Sequence, residues 1–328
     1  MLDLYYYILK SAFALIGSSQ ILIKTFLYDY EGRQMKFKNK IRLLVIAIGV
    51  LFASSSFAKS PVFKITKGED QLYIGGSIHL LSPNDYPLPA GFQQAFNAAE
   101  HVYFETDISQ LSSPEVQTKF TSRMTSADGK TLKSVLSKDT YSRLENFLAE
   151  RNVPIAAFEQ FTPAAASVSL SAFELQRLGL GNPASGVDQY FDLKTRDANK
   201  TPLYLESIDE QIGFLDAINA ADPDLVIGST LDGLIDLEST WKEALTAWRA
   251  GDIESAGDSL GADSMRSNFP DMYKLLLTDR NNRWLIKIEE MFNSKEIEFV
   301  LVGALHLAND DGLIKSLDDA GYTIEQLD

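Results

Sequence analysis

Leu72-Tyr73-Ile74-Gly75-Gly76-Ser77-Ile78-His79 is the stretch that decides how this chain folds. An apolar run ends there in the frame Gly76-Ser77-Ile78-His79. Far downstream, Phe299-Val300-Leu301-Val302 runs into the same frame, Gly303-Ala304-Leu305-His306. The chain has three histidines, and this pattern takes two of them. Histidine is the side chain most often recruited as a metal ligand or as a base near neutral pH. One site built from both ends of the chain is therefore expected.

The neighbouring residues extend the pattern. Residues 63–66 alternate, 67–70 read as a turn and 71–79 alternate again, which predicts a β-hairpin. Residues 82–89 contain Pro83, Pro87 and Pro89 and read as a stiff loop. Phe92, Ala95, Phe96 and Ala99 share one side of a helix over 91–100. Residues 102–106 read as a strand. The unit is strand, loop, helix, strand, the grammar of a parallel crossover. If its two strands are neighbours, Glu105 ends near His79.

The tail repeats this order. Residues 297–306 predict a strand, Asp310-Asp311-Gly312 a turn, 313–320 a helix and 322–327 a strand. A distant internal duplication would explain the match, and chance is its competitor. Helical spacing dominates between the two units, over 137–151, 163–178, 187–198, 208–220, 225–250 and 278–292, with a short strand at 202–206. The expected fold is α/β of mixed α+β character. A central sheet has N- and C-terminal β-α-β units, each bearing a Gly-x-x-His, and a helical middle insertion or cap.

Met35 opens a segment with the layout of a secretory signal. Lys36, Lys38, Lys40 and Arg42 form a basic start, 43–52 is apolar, and Ser56 and Ala58 are small residues before a cleavage point. The expected signal peptide is 35–58, leaving 59–328 as one domain, periplasmic or secreted. The alternative is an N-terminal membrane anchor. Residues 1–34 read as upstream sequence outside the fold. The mature part is expected to have no stable membrane span.

The first 58 residues hold seven of the 30 basic and three of the 45 acidic side chains, so the remainder holds 23 and 42, a net of −19. That charge argues against nucleic acid as a partner. Cysteine is absent, which rules out zinc–thiolate sites and cysteine nucleophiles. A metal would need histidine, carboxylate and water.

If the strands run through both frames, His79 shares a face with Ser77 and Gly75, and His306 with Ala304 and Val302. Small neighbours leave room for an imidazole and for a ligand. Both histidines fall at carboxyl strand ends, where open parallel sheets build their sites. Glu105 is an acid at the end of an apolar strand. Two imidazoles and a carboxylate suit a catalytic divalent metal. The bland alternative is a pair of satisfied core histidines. His101, at a helix–strand junction without small neighbours, reads as a surface residue. Arg280 and Asn281 lie on the helix before the last crossover, where an exposed basic residue is the default reading and a clamp for an anion or carbonyl the functional one. Asp188 fits the first turn of a helix. Structural roles are expected for Asp188 and Gln211, while Glu206 could be structural or catalytic. No nucleophile elbow, P-loop, dinucleotide fingerprint or His-Glu-x-x-His is present.

Taken in order, 73–81, Pro87-Leu88-Pro89, Phe104-Glu105-Thr106-Asp107, Gly186-Val187-Asp188, Leu205-Glu206 with Gln211, Asp279-Arg280-Asn281, and 302–307 with Gly312-Leu313 resemble the TraB/GumN family. That family is similar to the Tiki proteins, membrane-tethered metalloproteases that clip a secreted ligand. It is more distantly related to erythromycin esterases and to haem-binding ChaN proteins. Ser77 stands where family members often have Thr. The resemblance implies a mixed α/β core with His79, Glu105 and His306 at the site and Arg280 and Asn281 beside it.

The expected function is a metal-dependent hydrolase, a peptidase acting on a peptide or small molecule. His79, Glu105 and His306 would hold Mn²⁺, Co²⁺ or Zn²⁺, and Arg280 or Asn281 would steady the oxyanion. The alternatives are a metal-independent, esterase-like hydrolase with a histidine base, and a non-enzymatic protein that binds a peptide or haem.

Overall fold

The computed structural model describes residues 59–126 and 129–328. The expected signal peptide at 35–58 and the upstream stretch 1–34 lie outside the described residues. Among the described residues, no helix is long and apolar enough to cross a membrane.

Six strands form one mixed sheet: β1 (Val62–Lys67), β2 (Asp70–Ser77), β3 (His101–Phe104), β4 (Thr201–Tyr204), β5 (Glu298–Gly303) and β6 (Thr323–Gln326). Their order is β4-β3-β5-β2-β1-β6. The hairpin of β1 and β2 forms as predicted, with Lys67 paired to Asp70 across a two-residue turn. Gly68 has φ +64 at the first turn position, where a type II′ turn requires a positive value.

Both crossovers are present, but neither joins neighbouring strands. β5 inserts between β2 and β3 and runs parallel to both. The second crossover leads from β5 over β2 and β1 to β6, which pairs antiparallel with β1. Glu105 therefore meets His79 across β5 rather than beside it. The most apolar strand takes the centre, with all six β5 residues buried, as a strand covered on both faces requires.

The strand phase expected for the two histidines does not hold. β2 ends at Ser77, and His79 follows in a bend. β5 ends at Gly303, and Ala304–His306 forms a short 3-10 turn. Both histidines do leave the carboxyl ends of adjacent parallel strands, so they meet as expected.

On one sheet face Phe299, Leu301, Val102 and Phe104 pack with Phe92, Phe191 and Trp248. On the other, Ile74, Val300 and Val302 pack with Trp284, Ile288 and Leu317. The helical middle has its own core, drawn from Pro114–Met124, Lys138–Glu150, Pro163–Arg177, Ile208–Ala220 and Pro223–Gly233. The single helix expected over 225–250 is instead two, Pro223–Gly233 and Leu237–Arg249. The break follows Gly233, a residue of poor helix propensity. Before the last crossover, Lys274–Thr278 forms a π-turn that runs directly into the helix Asp279–Met291. Such bulges often mark functional sites.

Candidate active site

Three strand ends and the π-bulged helix converge on one cavity of about 230 Å³. Its polar wall holds Ser77, His79, Glu105, Arg280 and His306. Its apolar wall includes Ile78, Trp241, Leu260, Met265 and Leu276.

Glu105 follows the last residue of β3, and Glu206 follows β4 by two residues. Parallel pairing continues past both strands, since the Glu206 N–H donates to the Glu105 carbonyl at 2.9 Å. The two acids are thus neighbours, and both are buried. Arg280 joins them. Its Nη2 donates to Glu105 Oε2 at 2.5 Å and to Glu206 Oε1 at 2.6 Å, and its Nε donates to Glu206 Oε2 at 3.1 Å. Nη1 donates to the Leu276 carbonyl inside the π-turn. Only 1% of Arg280 is exposed. A buried guanidinium is tolerable only when its donors are met in this way.

Glu105 Oε1 accepts from the Gly303 N–H at 2.7 Å, and Oε2 also accepts from Gln211 Nε2 at 3.2 Å. Burial opposes ionisation of Glu105, but the Arg280 charge outweighs it and holds the carboxyl well below the usual carboxylate range. His306 is pushed well below the ordinary histidine value, first by burial and then by the Arg280 charge. Its Nδ1 faces Asn281 Oδ1 at 2.7 Å, and its Nε2 faces Arg280 Nη1 at 2.8 Å. The Trp284 ring lies 4.4 Å from the imidazole, centroid to centroid.

His79 Nδ1 lies 2.6 Å from Asp188 Oδ2. The segment that brings Asp188 there rests on the histidine's own backbone. The Val187 N–H donates to the Ile78 carbonyl at 3.0 Å. A Cβ on Gly186 would come within 2.1 Å of the His79 carbonyl oxygen, so only glycine fits. A carboxylate at Nδ1 stabilises the proton there and puts the basic lone pair on Nε2.

Gly303 marks the centre of the site. The point where its Cβ would stand is 3.3 Å from Glu105 Oε1, 3.4 Å from His79 Nε2 and 3.8 Å from His306 Cδ2. The three residues picked out in the sequence surround one small cradle. His306, however, presents a carbon to it, and both its ring nitrogens face other partners. With Nε2 on Arg280 and Nδ1 on Asn281, His306 has no free nitrogen to offer as a third metal ligand in this arrangement. Among the described residues, no group of three or more His, Cys, Asp or Glu is disposed to hold a metal.

Arg280 and Asn281 stand in the site as expected, but both bind protein groups, with Asn281 Nδ2 donating to the carbonyls of His306 and Asp311. His101 lies at the opposite end of β3, its Nε2 2.8 Å from Glu296 Oε2. Asp188 and Gln211, expected to be structural, touch His79 and Glu105 directly. Glu206 is the second acid on Arg280. Trp284 gave no signal beyond its place in the helical period.

Comparison with known proteins places the chain in a family. The family model described as TraB/PrgY/gumN matches residues 61–326. The chain is similar to the uncharacterized protein YbaP of Escherichia coli (strain K12), 23% identical over 259 residues, covering 78% of this chain and 92% of that protein. No solved structure matches. With nearly the whole described region inside the family match, the chain belongs to the TraB/PrgY/gumN family.

Proposed function

We propose that this protein is an exported hydrolase that cleaves a carbonyl compound, a peptide or an ester, with His79 as general base on water. The observation that carries this reading is the cradle at Gly303. The point where a Gly303 Cβ would stand is 3.3 Å from Glu105 Oε1 and 3.4 Å from His79 Nε2, so the missing side chain leaves both atoms facing the cavity, where one water can reach the two. General-base catalysis needs a base within hydrogen-bond reach of the proton it takes.

The steps balance within the site. The water oxygen attacks the carbonyl carbon as His79 Nε2 takes its proton. Asp188 holds the resulting imidazolium. His79 then returns the proton to the departing nitrogen or oxygen as the C–N or C–O bond breaks. Glu105, held by Gly303, Arg280 and Gln211, orients the water. The apolar wall formed by Trp241, Leu260, Met265 and Leu276 suits a substrate with a bulky uncharged group beside the scissile carbonyl.

A second reading keeps a divalent metal, Mn²⁺, Co²⁺ or Zn²⁺. It is supported by the carboxylate on His79 Nδ1, a common arrangement behind metal-bound histidines. His79 and Glu105 would hold the ion, and it would supply an activated water. One assay separates the two. Purified protein, freed of metal by chelation, is tested against apolar ester and peptide substrates, alongside His79→Gln. The base reading expects turnover that survives chelation and is lost in His79→Gln. Turnover that returns only with added metal selects the second reading. Binding of apolar peptides without turnover would leave a binding protein.

A further inference from the structure

Ser77 has no place in the mechanism above, yet it sits at the site's centre. It is the last residue of β2 and pairs with Gly303 of β5. Paired residues of parallel strands project to the same face, with the strands about 4.8 Å apart. The Ser77 side chain therefore rises beside the cradle that the missing Gly303 side chain leaves. Only 1% of Ser77 is exposed. Among the described residues, its Oγ has no hydrogen-bond partner.

A buried hydroxyl without a partner is destabilising, and alanine would fill the same space without that cost. Ser77 lines the cavity together with His79, Glu105 and Gly303, so the space beside its hydroxyl is the place for a partner. A buried water makes two to four hydrogen bonds. In the cavity just beyond the cradle its two protons would face His79 Nε2 and Glu105 Oε1. Both of those atoms accept, so neither occupies a lone pair on the water. A hydroxyl donor is the missing piece.

We infer that Ser77 Oγ donates a hydrogen bond to the attacking water and aims its second lone pair at the substrate carbonyl. This rests on the hydrolase reading for its consequence but not for its geometry. Ser77 then acts on the reacting atom itself. It keeps its own proton throughout, so no covalent intermediate forms on it.

The test combines a structure with kinetics. Crystals of the wild-type protein are expected to show a water within hydrogen-bond distance of Ser77 Oγ, Glu105 Oε1 and His79 Nε2, and crystals of Ser77→Ala to lack it. Ser77→Ala should lower kcat by about 10²- to 10³-fold, the scale of losing one positioned hydrogen-bond donor, with KM changed less than about twofold. Ser77→Thr, which keeps the hydroxyl, should recover most of kcat. Thermal stability of Ser77→Ala should be unchanged or raised, since an unsatisfied hydroxyl is removed. A water that persists unmoved in Ser77→Ala, an unchanged kcat, or a Tm loss that Ser77→Thr reverses would overturn the inference. If no substrate is turned over, the hydrolase reading fails, and the wild-type and Ser77→Ala water structures still decide the role of Ser77.

Discussion

Arg280 Nη1 donates to His306 Nε2 across 2.8 Å, and this contact sets the state of the second histidine. A guanidinium has no acceptor, so Nε2 must carry the lone pair. The imidazole proton then sits on Nδ1, where Asn281 Oδ1 accepts it at 2.7 Å. The orientation of Asn281 follows, because its Nδ2 donates to two carbonyls. His306 is thus a neutral, fully engaged structural wedge between Arg280 and Asn281. Nitrogen NMR should find a single Nδ1–H tautomer for it at pH 7. A Nε2–H tautomer would contradict the arrangement.

Stability should depend on pH in two stages. The folded His306 value lies well below the ordinary 6.5, held there by burial first and by Arg280 second. In the unfolded chain it titrates near 6.5. Below that pH the unfolded state binds a proton that the folded state refuses, so stability falls as pH drops from about 6.5. Glu105 is also depressed, because the Arg280 charge outweighs the opposing effect of burial. Its contribution is full above the ordinary carboxylate value and is lost as pH falls through its folded value. Tm measured from pH 8 to 3 should decline in both ranges. His306→Gln should flatten the upper stage and leave the lower one.

Removing the guanidinium should cost more than any single core truncation at the site. Arg280→Met leaves Glu105 and Glu206 buried side by side without their shared cation. Breaking a buried ion pair in this way costs about 3–5 kcal/mol, to be read from chemical denaturation. Arg280→Lys keeps the charge but cannot reach both acids in the same forked geometry, so it should fall between the two. Equal stability of wild type and Arg280→Met would show that the network contributes nothing net.

Asp188→Asn should separate catalysis from folding. The amide can fill the same space beside His79 Nδ1, so Tm should move little. The histidine loses the acid that orients it and stabilises its protonated form. A fall in kcat of about 10²- to 10⁴-fold is expected, the range general-base catalysis provides. Hydrolysis at the wild-type rate would remove His79 from the role of base.

Gly303→Ala places a methyl group at the cradle. Gly303 has φ −55 and ψ 139, a backbone that alanine adopts without strain. The new carbon would stand 3.3 Å from Glu105 Oε1 and 3.4 Å from His79 Nε2, so the neighbours need yield only slightly. Stability should change by less than about 1 kcal/mol, while the methyl crowds the space in front of Glu105 and His79 that the water needs, and turnover should fall. An active Gly303→Ala would move the attacking water elsewhere.

The local grammar of the sheet was open to a sequence reading because it is written in short-range physics. Alternation gave both ends of the hairpin, Gly68 its turn, and the two crossovers their order of strand and helix. The repeated Gly-x-x-His frame and an acid ending an apolar strand picked out His79, His306 and Glu105, the family resemblance added Arg280 and Asn281, and all five meet at one site. The ends of β2 and β5 were less legible. Strand periodicity continues on paper through Ile78 and Leu305, but backbone pairing stops at Ser77 and Gly303. Asp188 looked like an ordinary first-turn acid, because its value lies in a contact over a hundred residues back along the chain.

By itself, then, the sequence determined which residues are scarce, small or acidic beside an apolar run, and these are the residues that gather at the candidate site. Local spacing suffices for that, since turns, caps and periodicity act within a few residues. Only the tertiary structure decided that β5 enters between β2 and β3 and that Glu206 lies against Glu105. It also decided that Arg280 engages both acids and that His306 turns a carbon to the cradle. Strand order and side-chain partners are set by packing between distant segments, where burying Arg280 requires both acids at once, and no local pattern in the chain records that requirement.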